Sequence, residues 1–222
     1  MNPTWLSAFL DLAPDSLDEG VAFWRGVTGY SISPTRGEYD EFATLVPPDG
    51  DDFLRVQRLG AGPSRLHLDV HAPDHGFAVH SSPGGFTWCT VSHPAAVRPA
   101  AATWPGGHRS IVDQICLDIP SEHYEAECAF WAELTGWDFE PARLPEFRRL
   151  RVPAGQPLRV LLQRLDDPTG PVRAHLDLST TDRAAETERH LALGAAVVKV
   201  NAFWTVLRDP AGSSYCITDR QP

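Results

Sequence analysis

The stretch AFWAELTGW at residues 129–137 decides the fold, because a second copy, AFWRGVTGY, lies at residues 22–30. The two copies align without a gap, and each has the pattern of an amphipathic helix whose last turn is closed by a glycine. An aromatic residue then opens the next strand in both copies. A repeat of this length predicts that the chain contains two copies of one domain.

The composition argues against several kinds of partner. A nucleic-acid-binding protein usually has a basic stripe, whereas this chain has none and carries a formal net charge of −10. No apolar run approaches the ~20 residues that a membrane span needs, and the N-terminus lacks the regions of a signal peptide. The cysteines show no CxxC spacing, so we interpret them as buried thiols of a cytoplasmic protein. They are Cys89, Cys116, Cys128 and Cys216.

A shorter repeat lies inside each half of the chain. Strand patterns that begin near Ser7, His67, Gln114 and His175 each reach a turn or a helix cap seven residues later. The repeated unit is therefore a strand, a helix and about three further strands, and it occurs four times. The second unit has two adjacent glycines and Pro83 where its helix should lie, so we predict that it has lost most of that helix.

These patterns resemble the vicinal oxygen chelate superfamily, which includes glyoxalase I, bleomycin-resistance proteins and extradiol dioxygenases. The chain is similar in particular to the actinobacterial glyoxalase-like domain proteins, over nearly all of its second half and about two thirds of its first. The residues that carry the resemblance are Phe-Trp…Thr-Gly at both helix ends, Arg-x-His-Leu-Asp at 65–69 and 173–177, Leu-Gly-Ala at 193–195 and WTVLRDPAG at 204–212.

The resemblance implies an α+β fold of two tandem glyoxalase-like domains, in which four modules form curved mixed sheets and the second module is degenerate. We expect the first domain at residues 1–100 and the second at residues 108–222, joined by a segment rich in alanine and proline. Histidines outside the motif strands are expected in loops or on exposed helix faces, among them His71 and His190.

The resemblance also implies a cup in each pair of modules, where family enzymes hold a divalent metal. The ligands there are His or Gln on each module's first strand and usually Glu on each last strand. In the second half these positions fall on Gln114, Gln163, His175 and Cys216. Both carboxylates are missing, so we predict no cofactor, with a divalent metal as the alternative. The first half offers a poorer set: Ser7, Gln57, His67 and Ala100.

The ligand-binding residues that we expect all lie in the second half: Gln114, Gln163, His175, Trp204 and Cys216. Trp88 and Trp204 begin strands that match by spacing, and both could form the wall of a cup. A structural role competes with each assignment, because a buried glutamine or histidine also serves as an internal hydrogen-bonding group and a tryptophan packs. His175 and Asp177 lie on the same side of one strand, but no nucleophile accompanies them.

Three functional hypotheses follow. The first is a protein that binds a small molecule in the second cup without a complete metal site, like the resistance proteins of the superfamily. The alternative is a metal-dependent lyase, isomerase or dioxygenase that uses an atypical site with Gln114 and His175. The third is a scaffold whose cups are both filled by side chains. We expect a monomer or a homodimer in each case.

Overall fold

Two mixed β-sheets, one from each half of the chain, form the frame of the molecule. The computed structural model describes all residues, 1–222. The first half contributes β1 (Trp5–Leu12), α1 (Leu17–Thr28), β2 (Ser31–Ile32), β3 (Phe42–Val46), β4 (Leu54–Arg58), β5 (Arg65–His71), β6 (Ala78–Ser81) and β7 (Thr87–Val91).

The second half repeats this plan with more complete modules. Its elements are β8 (Ala102–Thr103), β9 (Arg109–Ile119), α2 (Tyr124–Thr135), β10 (Phe139–Glu140), β11 (Phe147–Leu150), β12 (Arg159–Arg164), β13 (Arg173–Thr180), α3 (Arg183–Ala192), β14 (Ala196–Val200), β15 (Trp204–Arg208) and β16 (Ser214–Thr218).

The strand order confirms an α+β fold of four modules. The first sheet runs β2-β3-β4-β1-β5-β7-β6 and the second β10-β11-β12-β9-β13-β16-β15-β14, with β8 beside β9. In each sheet the first strands of two modules form a central antiparallel pair, β1 with β5 and β9 with β13. Each module's last strand then lies parallel to its first. No helix follows β5, which confirms that the second module is degenerate.

The repeated Thr-Gly sequence ends both long helices in the same way. Gly29 and Gly136 take φ angles of 73° and 70°, a left-handed conformation that glycine adopts without strain. The threonine before each glycine donates its hydroxyl to a helical carbonyl four residues earlier and accepts a hydrogen bond from the amide of the residue after the glycine. The motif therefore recurs because it makes one specific helix exit twice.

Helix α1 packs on the second half of the chain. The Trp24 indole donates to Asp209 Oδ2 over 3.0 Å, and both residues are buried. Arg189, on α3, donates to the carbonyls of Gly26 and Val27 at 2.7 and 2.8 Å. A cation near the last carbonyls of a helix is favourable, because the dipole of the helix is negative there.

Helix α2 packs on the first half in a corresponding way. The buried Glu127 carboxylate accepts 2.6 Å hydrogen bonds from the Ser82 hydroxyl and the Gly84 amide of the turn between β6 and β7. Trp131 meets Trp88 edge to face, with ring centroids 6.1 Å apart. The second half thus buries α1 and the first half buries α2, and 38 buried apolar residues form one core across both halves.

Two further sequence expectations concern the cysteines and the histidines outside the motifs. All four cysteines are buried free thiols, as predicted. The expectation that His71 and His190 lie in loops or on exposed faces is wrong, since both side chains are fully buried. Each is hydrogen-bonded through both ring nitrogens, which sequence spacing cannot show. No helix is both long and apolar enough to cross a membrane.

His71 should make the folded state sensitive to acid. Burial lowers the pKa of its imidazole from 6.5 to about 4, although the hydrogen bond to the His93 carbonyl opposes this shift. A histidine with a lowered folded-state pKa binds a proton more readily when unfolded, so its contribution is lost as pH falls below 6.5. Between pH 7.5 and pH 5 we expect a loss of about 2 kcal/mol in unfolding free energy from this group.

The test compares the native chain with His71→Gln, which does not titrate, by urea unfolding at both pH values. The variant should lose about 2 kcal/mol less than the native chain over this range. Equal losses in the two proteins would show that His71 is not held neutral in the fold.

Candidate functional site

A cavity of about 520 Å³ lies on one face of the second sheet, over the central pair β9 and β13. Alternate residues of a strand point to the same face, which is why Gln114, Cys116 and Asp118 of β9 all line it. His175 and Asp177 of β13 line it for the same reason. The cavity also brings in the other candidates from the sequence, which are Gln163, Trp204 and Cys216.

The floor of this cavity, which we call the second cup, is centred on His175. Its Nδ1 lies 2.9 Å from Asp118 Oδ2, and its Nε2 lies 3.3 Å from Asp177 Oδ1. Burial alone would lower the pKa of His175, but the charge and hydrogen bond of Asp118 and the nearby carboxylate of Asp177 raise it well above its usual value. The ring is therefore an imidazolium between two carboxylates, as long as nothing else binds there.

Polar and thiol groups surround this imidazolium. The Gln114 amide donates to Asp177 Oδ2, so the predicted buried glutamine does have a partner. The Cys116 thiol donates to Gln163 Oε1 over 3.7 Å. Burial raises the pKa of the Cys116 thiol to about 12 and also raises that of Cys216. Both thiols are therefore neutral and are not poised as nucleophiles.

Arg220 is a residue of the second cup that the sequence did not reveal. The register between β9 and β13 shifts at Asp113, which is left as a bulge in β9. The buried Asp113 carboxylate binds the Arg220 guanidinium, and Arg220 Nη1 then lies 3.9 Å from Asp177 Oδ2. A bulge depends on how two distant strands pair, so no local sequence signal announces it.

The second cup has aromatic side chains in its wall and cationic side chains at its mouth. Phe147 and Trp204 meet edge to face with centroids 6.1 Å apart, and the Arg143 guanidinium lies 3.7 Å above the Phe203 ring. Arg143 and Arg173 form no ion pair, although both line the cavity. Of the acidic lining groups, Asp118 and Asp177 are paired with His175, and Asp219 is paired with Arg183. The uncompensated charge at the mouth is positive.

Sequence comparison gives the family. The model of the glyoxalase-like domain matches residues 7–84 and 114–218. The chain belongs to the glyoxalase-like domain family. No curated protein matches this glyoxalase-like domain protein.

Solved structures show the same fold. A mutant of 4-hydroxymandelate synthase from Streptomyces coelicolor is 14% identical, with a TM-score of 0.62 over 100% of this chain and 94% of that one. An extradiol ring-cleaving dioxygenase from B. fuscum is 12% identical, with a TM-score of 0.63 over 100% and 73%. The 2,2',3-trihydroxybiphenyl 1,2-dioxygenase from Sphingomonas wittichii is 13% identical, with a TM-score of 0.61 over 98% and 90%. The glyoxalase-like domain protein therefore has the vicinal oxygen chelate fold.

The four family positions in the second cup do not form the family's metal site. Gln114 turns its amide nitrogen to Asp177, and the Gln163 oxygen accepts from the Cys116 thiol. Neither position supplies a carboxylate, and Cys216 carries a protonated thiol. Donor groups of other kinds do lie close together, since His175, Asp177 and Cys216 have ligand atoms within 4.8 Å of one another. The chain thus keeps metal-binding residue types in an arrangement different from the family's.

The first half of this glyoxalase-like domain protein has a corresponding but filled cup. His67 Nδ1 lies 2.8 Å from Asp11 Oδ1, and its Nε2 lies 3.7 Å from Asp69 Oδ1, as in the Asp118-His175-Asp177 group. Phe9 occupies the strand position of Cys116 and stacks on the His67 ring, with centroids 4.4 Å apart. That ring fills the space which stays open in the second cup.

The strand register corrects two sequence equivalences. Cys89 pairs with Asp69 as Cys216 pairs with Asp177, so Cys89 and not Ala100 is the counterpart of Cys216. Trp88 therefore lies on the counterpart of β16, and its match with Trp204 of β15 is wrong. The second module has lost a strand as well as a helix, which moves every later position when residues are counted along the chain.

Proposed function

We propose that this protein binds a small organic anion with a flat apolar body in the second cup. The observation that carries the proposal is the cavity of about 520 Å³, within the range of small-molecule sites, with aromatic walls and unpaired arginines at its mouth. The first cup, filled by Phe9, offers no such space around His67. Binding in this proposal does not depend on the family's four-ligand metal site.

The charge of the ligand follows from the groups at the mouth of the cup. The chain as a whole carries a net charge of −10, yet Arg143 and Arg173 face the cavity without a carboxylate partner. Guanidinium groups bind carboxylates through paired N–H donors, and a cleft lined by one sign of charge attracts ligands of the opposite sign. A ligand carboxylate at the mouth would therefore neutralise the positive charge of these arginines.

The body of the ligand follows from the wall and the floor. Phe147 and Trp204 present ring surfaces, and offset or edge contacts with a second aromatic system are favourable. At the floor, Asp177 Oδ1 is buried and accepts no hydrogen bond, so it can accept one from a ligand hydroxyl. Several proteins of the same fold are named for hydroxyaromatic compounds, such as 4-hydroxymandelate and catechol. We propose a hydroxyaromatic acid as the first ligand class to test.

The experiment is calorimetric titration with 6-hydroxy-2-naphthoate and with its uncharged carboxamide. We expect the acid to bind at least about tenfold more tightly, because the carboxamide loses the charged contact, worth about 1.5–3 kcal/mol. Arg173→Gln should weaken the acid to the level of the carboxamide and leave the carboxamide unchanged. The matched control is Arg65→Gln, the corresponding residue of the filled cup, which should change neither.

Two other outcomes contradict different parts of the proposal. Equal affinities for the acid and the carboxamide would contradict the proposal that the ligand is an anion, but not the proposal that a ligand binds in the second cup. No binding of either compound, or binding that survives a Trp204→Ala and Gln114→Ala double substitution unchanged, would place the ligand elsewhere and overturn the proposed site.

A further inference from the structure

We propose that two copies of this protein form a dimer in which their β14 strands pair antiparallel about a two-fold axis at Val198. β14 (Ala196–Val200) is the outermost strand of the second sheet, so one row of its backbone N–H and C=O groups has no neighbouring strand. None of its residues lines the cavity of the second cup, and the inference does not depend on the ligand proposed there.

The exposure of β14 is the first support. All five of its residues are exposed, although valine stabilises a strand mainly by packing against neighbours. Six of the eleven large hydrophobic side chains that are exposed in the whole chain lie between residues 191 and 203. They are Leu191, Leu193, Val197, Val198, Val200 and Phe203. Single exposed apolar side chains are ordinary, but such a concentration along a free sheet edge marks a surface that binds another chain.

The sheet positions show which face of the edge would be covered. Val197 opposes Leu207 of β15, and Leu207 opposes Tyr215 of β16. The Tyr215 hydroxyl is hydrogen-bonded to His190 of α3, so Val197 lies on the face of the sheet that α3 covers. Antiparallel pairing would continue this face from one copy into the next, where cross-strand contacts between valines are favourable.

The charge of the edge favours a second copy as the partner. Each copy has a net charge of −10, so two copies repel each other wherever their carboxylates meet. Residues 189–208 contain neither aspartate nor glutamate, although the chain has 29 of these residues. Two copies can therefore approach along β14 without bringing carboxylates together.

The irregular features of β14 also select its own copy. A bulge at Val198 and the charge of Lys199, the only lysine of the chain, both oppose pairing with an arbitrary strand. A second copy has the same local twist. In a register centred on Val198, each Lys199 lies opposite Val197 of the partner subunit, so the two like charges do not face each other.

This register also limits the assembly to two copies. Val198 is the middle residue of β14, so a two-fold axis there pairs all five residues of the strand. The contact uses the same surface on both copies and is closed once it has formed. The other sheet edges offer less, because β2 and β10 have two residues each and β6 has only alternate residues exposed.

The first test is sedimentation velocity of the full chain between about 1 and 200 µM. Two five-residue strands with flanking side chains form a small interface, so we expect a dimer with a Kd of about 10 µM. Val198→Asp places two carboxylates opposite each other at the axis and should raise this Kd at least about tenfold. Val79→Asp is the matched control, because Val79 is 63% exposed on the edge strand β6 and Val198 is 52% exposed. The control should keep the native Kd.

Val198→Cys gives a second readout, because the substituted residue would meet its own copy at the axis. Directly opposed residues of antiparallel strands have Cα atoms about 4.5–5.5 Å apart, which a disulfide can span. Oxidised glutathione should therefore link two copies of Val198→Cys. The control Val97→Cys, at a residue 60% exposed outside the strands, should stay unlinked. The four native thiols are buried and do not interfere.

Circular dichroism establishes that each variant is folded before its association is compared. A native chain that stays monomeric at the highest concentration, or one that forms species larger than a dimer, would overturn the inference. A dimer that folded Val198→Asp leaves unchanged, or equal disulfide linkage of the two cysteine variants, would overturn it as well.

Discussion

Glu186→Ala is expected to lower the free energy of unfolding by about 3–5 kcal/mol, because it leaves the Arg189 cation and three buried donors without their shared anion. The Glu186 side chain is fully buried in α3. It accepts hydrogen bonds of 2.6–2.9 Å from four residues, and each of these would lose its partner. They are His108, Ser110, Arg189 and His190.

The same carboxylate positions a contact between the two halves. Arg189 binds Glu186 through two nitrogens, stacks its guanidinium 3.5 Å over Trp104 and donates to the carbonyl end of α1. Burial alone would raise the pKa of Glu186, but the hydrogen bonds from Arg189 and His190 lower it below the usual 4.5. The group is therefore charged at neutral pH, and alanine removes both the charge and the anchor of Arg189.

Thermal and urea unfolding measure this effect, with Glu125→Ala as the matched control. Glu125 also lies on a helix and binds an arginine, Arg148, through two 2.9 Å contacts, but the Glu125 side chain is 75% exposed. An exposed pair contributes about 1 kcal/mol or less, so the control should change little. We expect the midpoint of Glu186→Ala to fall by about 10 °C. Similar midpoints for the two variants would show that the buried network does not stabilise the fold.

The fold was predictable from the sequence because its signals are local and repeated. The pair AFWRGVTGY and AFWAELTGW specifies a helix exit through one threonine and one glycine, and both copies form it. Strand motifs such as Arg-x-His-Leu-Asp fixed where the central strands begin. Two-residue periodicity also placed His175 and Asp177 on one side of a strand, and the same rule would have added Asp118, four residues after Gln114.

The parts that were not predictable depend on contacts between distant segments. Arg220 reaches the second cup through Asp113, whose bulge is set by pairing with β13. The correspondence between Cys89 and Cys216 could not be found by counting residues, because the second module has lost a strand and a count does not show where a deletion lies. The aromatic ring of Phe9 closes the first cup only because it meets His67 across two strands. The charge of the second cup, the filling of the first cup and the correspondence between their residues thus depend on tertiary contacts.

Residues 108–222, expressed alone, are expected not to fold, although they contain the whole second sheet except β8. Without α1, the buried Tyr215 ring would lose its contacts with Phe23 and Trp24, whose centroids lie 5.7 and 5.4 Å away. Asp209 would lose the Trp24 indole, and Arg189 would lose two carbonyl acceptors. Burial of each large aromatic contributes about 3–5 kcal/mol to such a core, so several losses together exceed the usual stability of a domain.

The measurement is near-ultraviolet circular dichroism and NMR dispersion of the 108–222 segment, alone and co-expressed with residues 1–107. We expect the segment alone to lack fixed tertiary structure and the co-expressed pair to form a folded complex, because α1 and α2 would again each pack on the opposite half. The proposed domain division at residues 1–100 and 108–222 would then describe the repeat but not independent folding units. A segment that folds alone with the native thermal midpoint would refute a stabilising role for the first half, and would also allow the second cup to be studied in isolation.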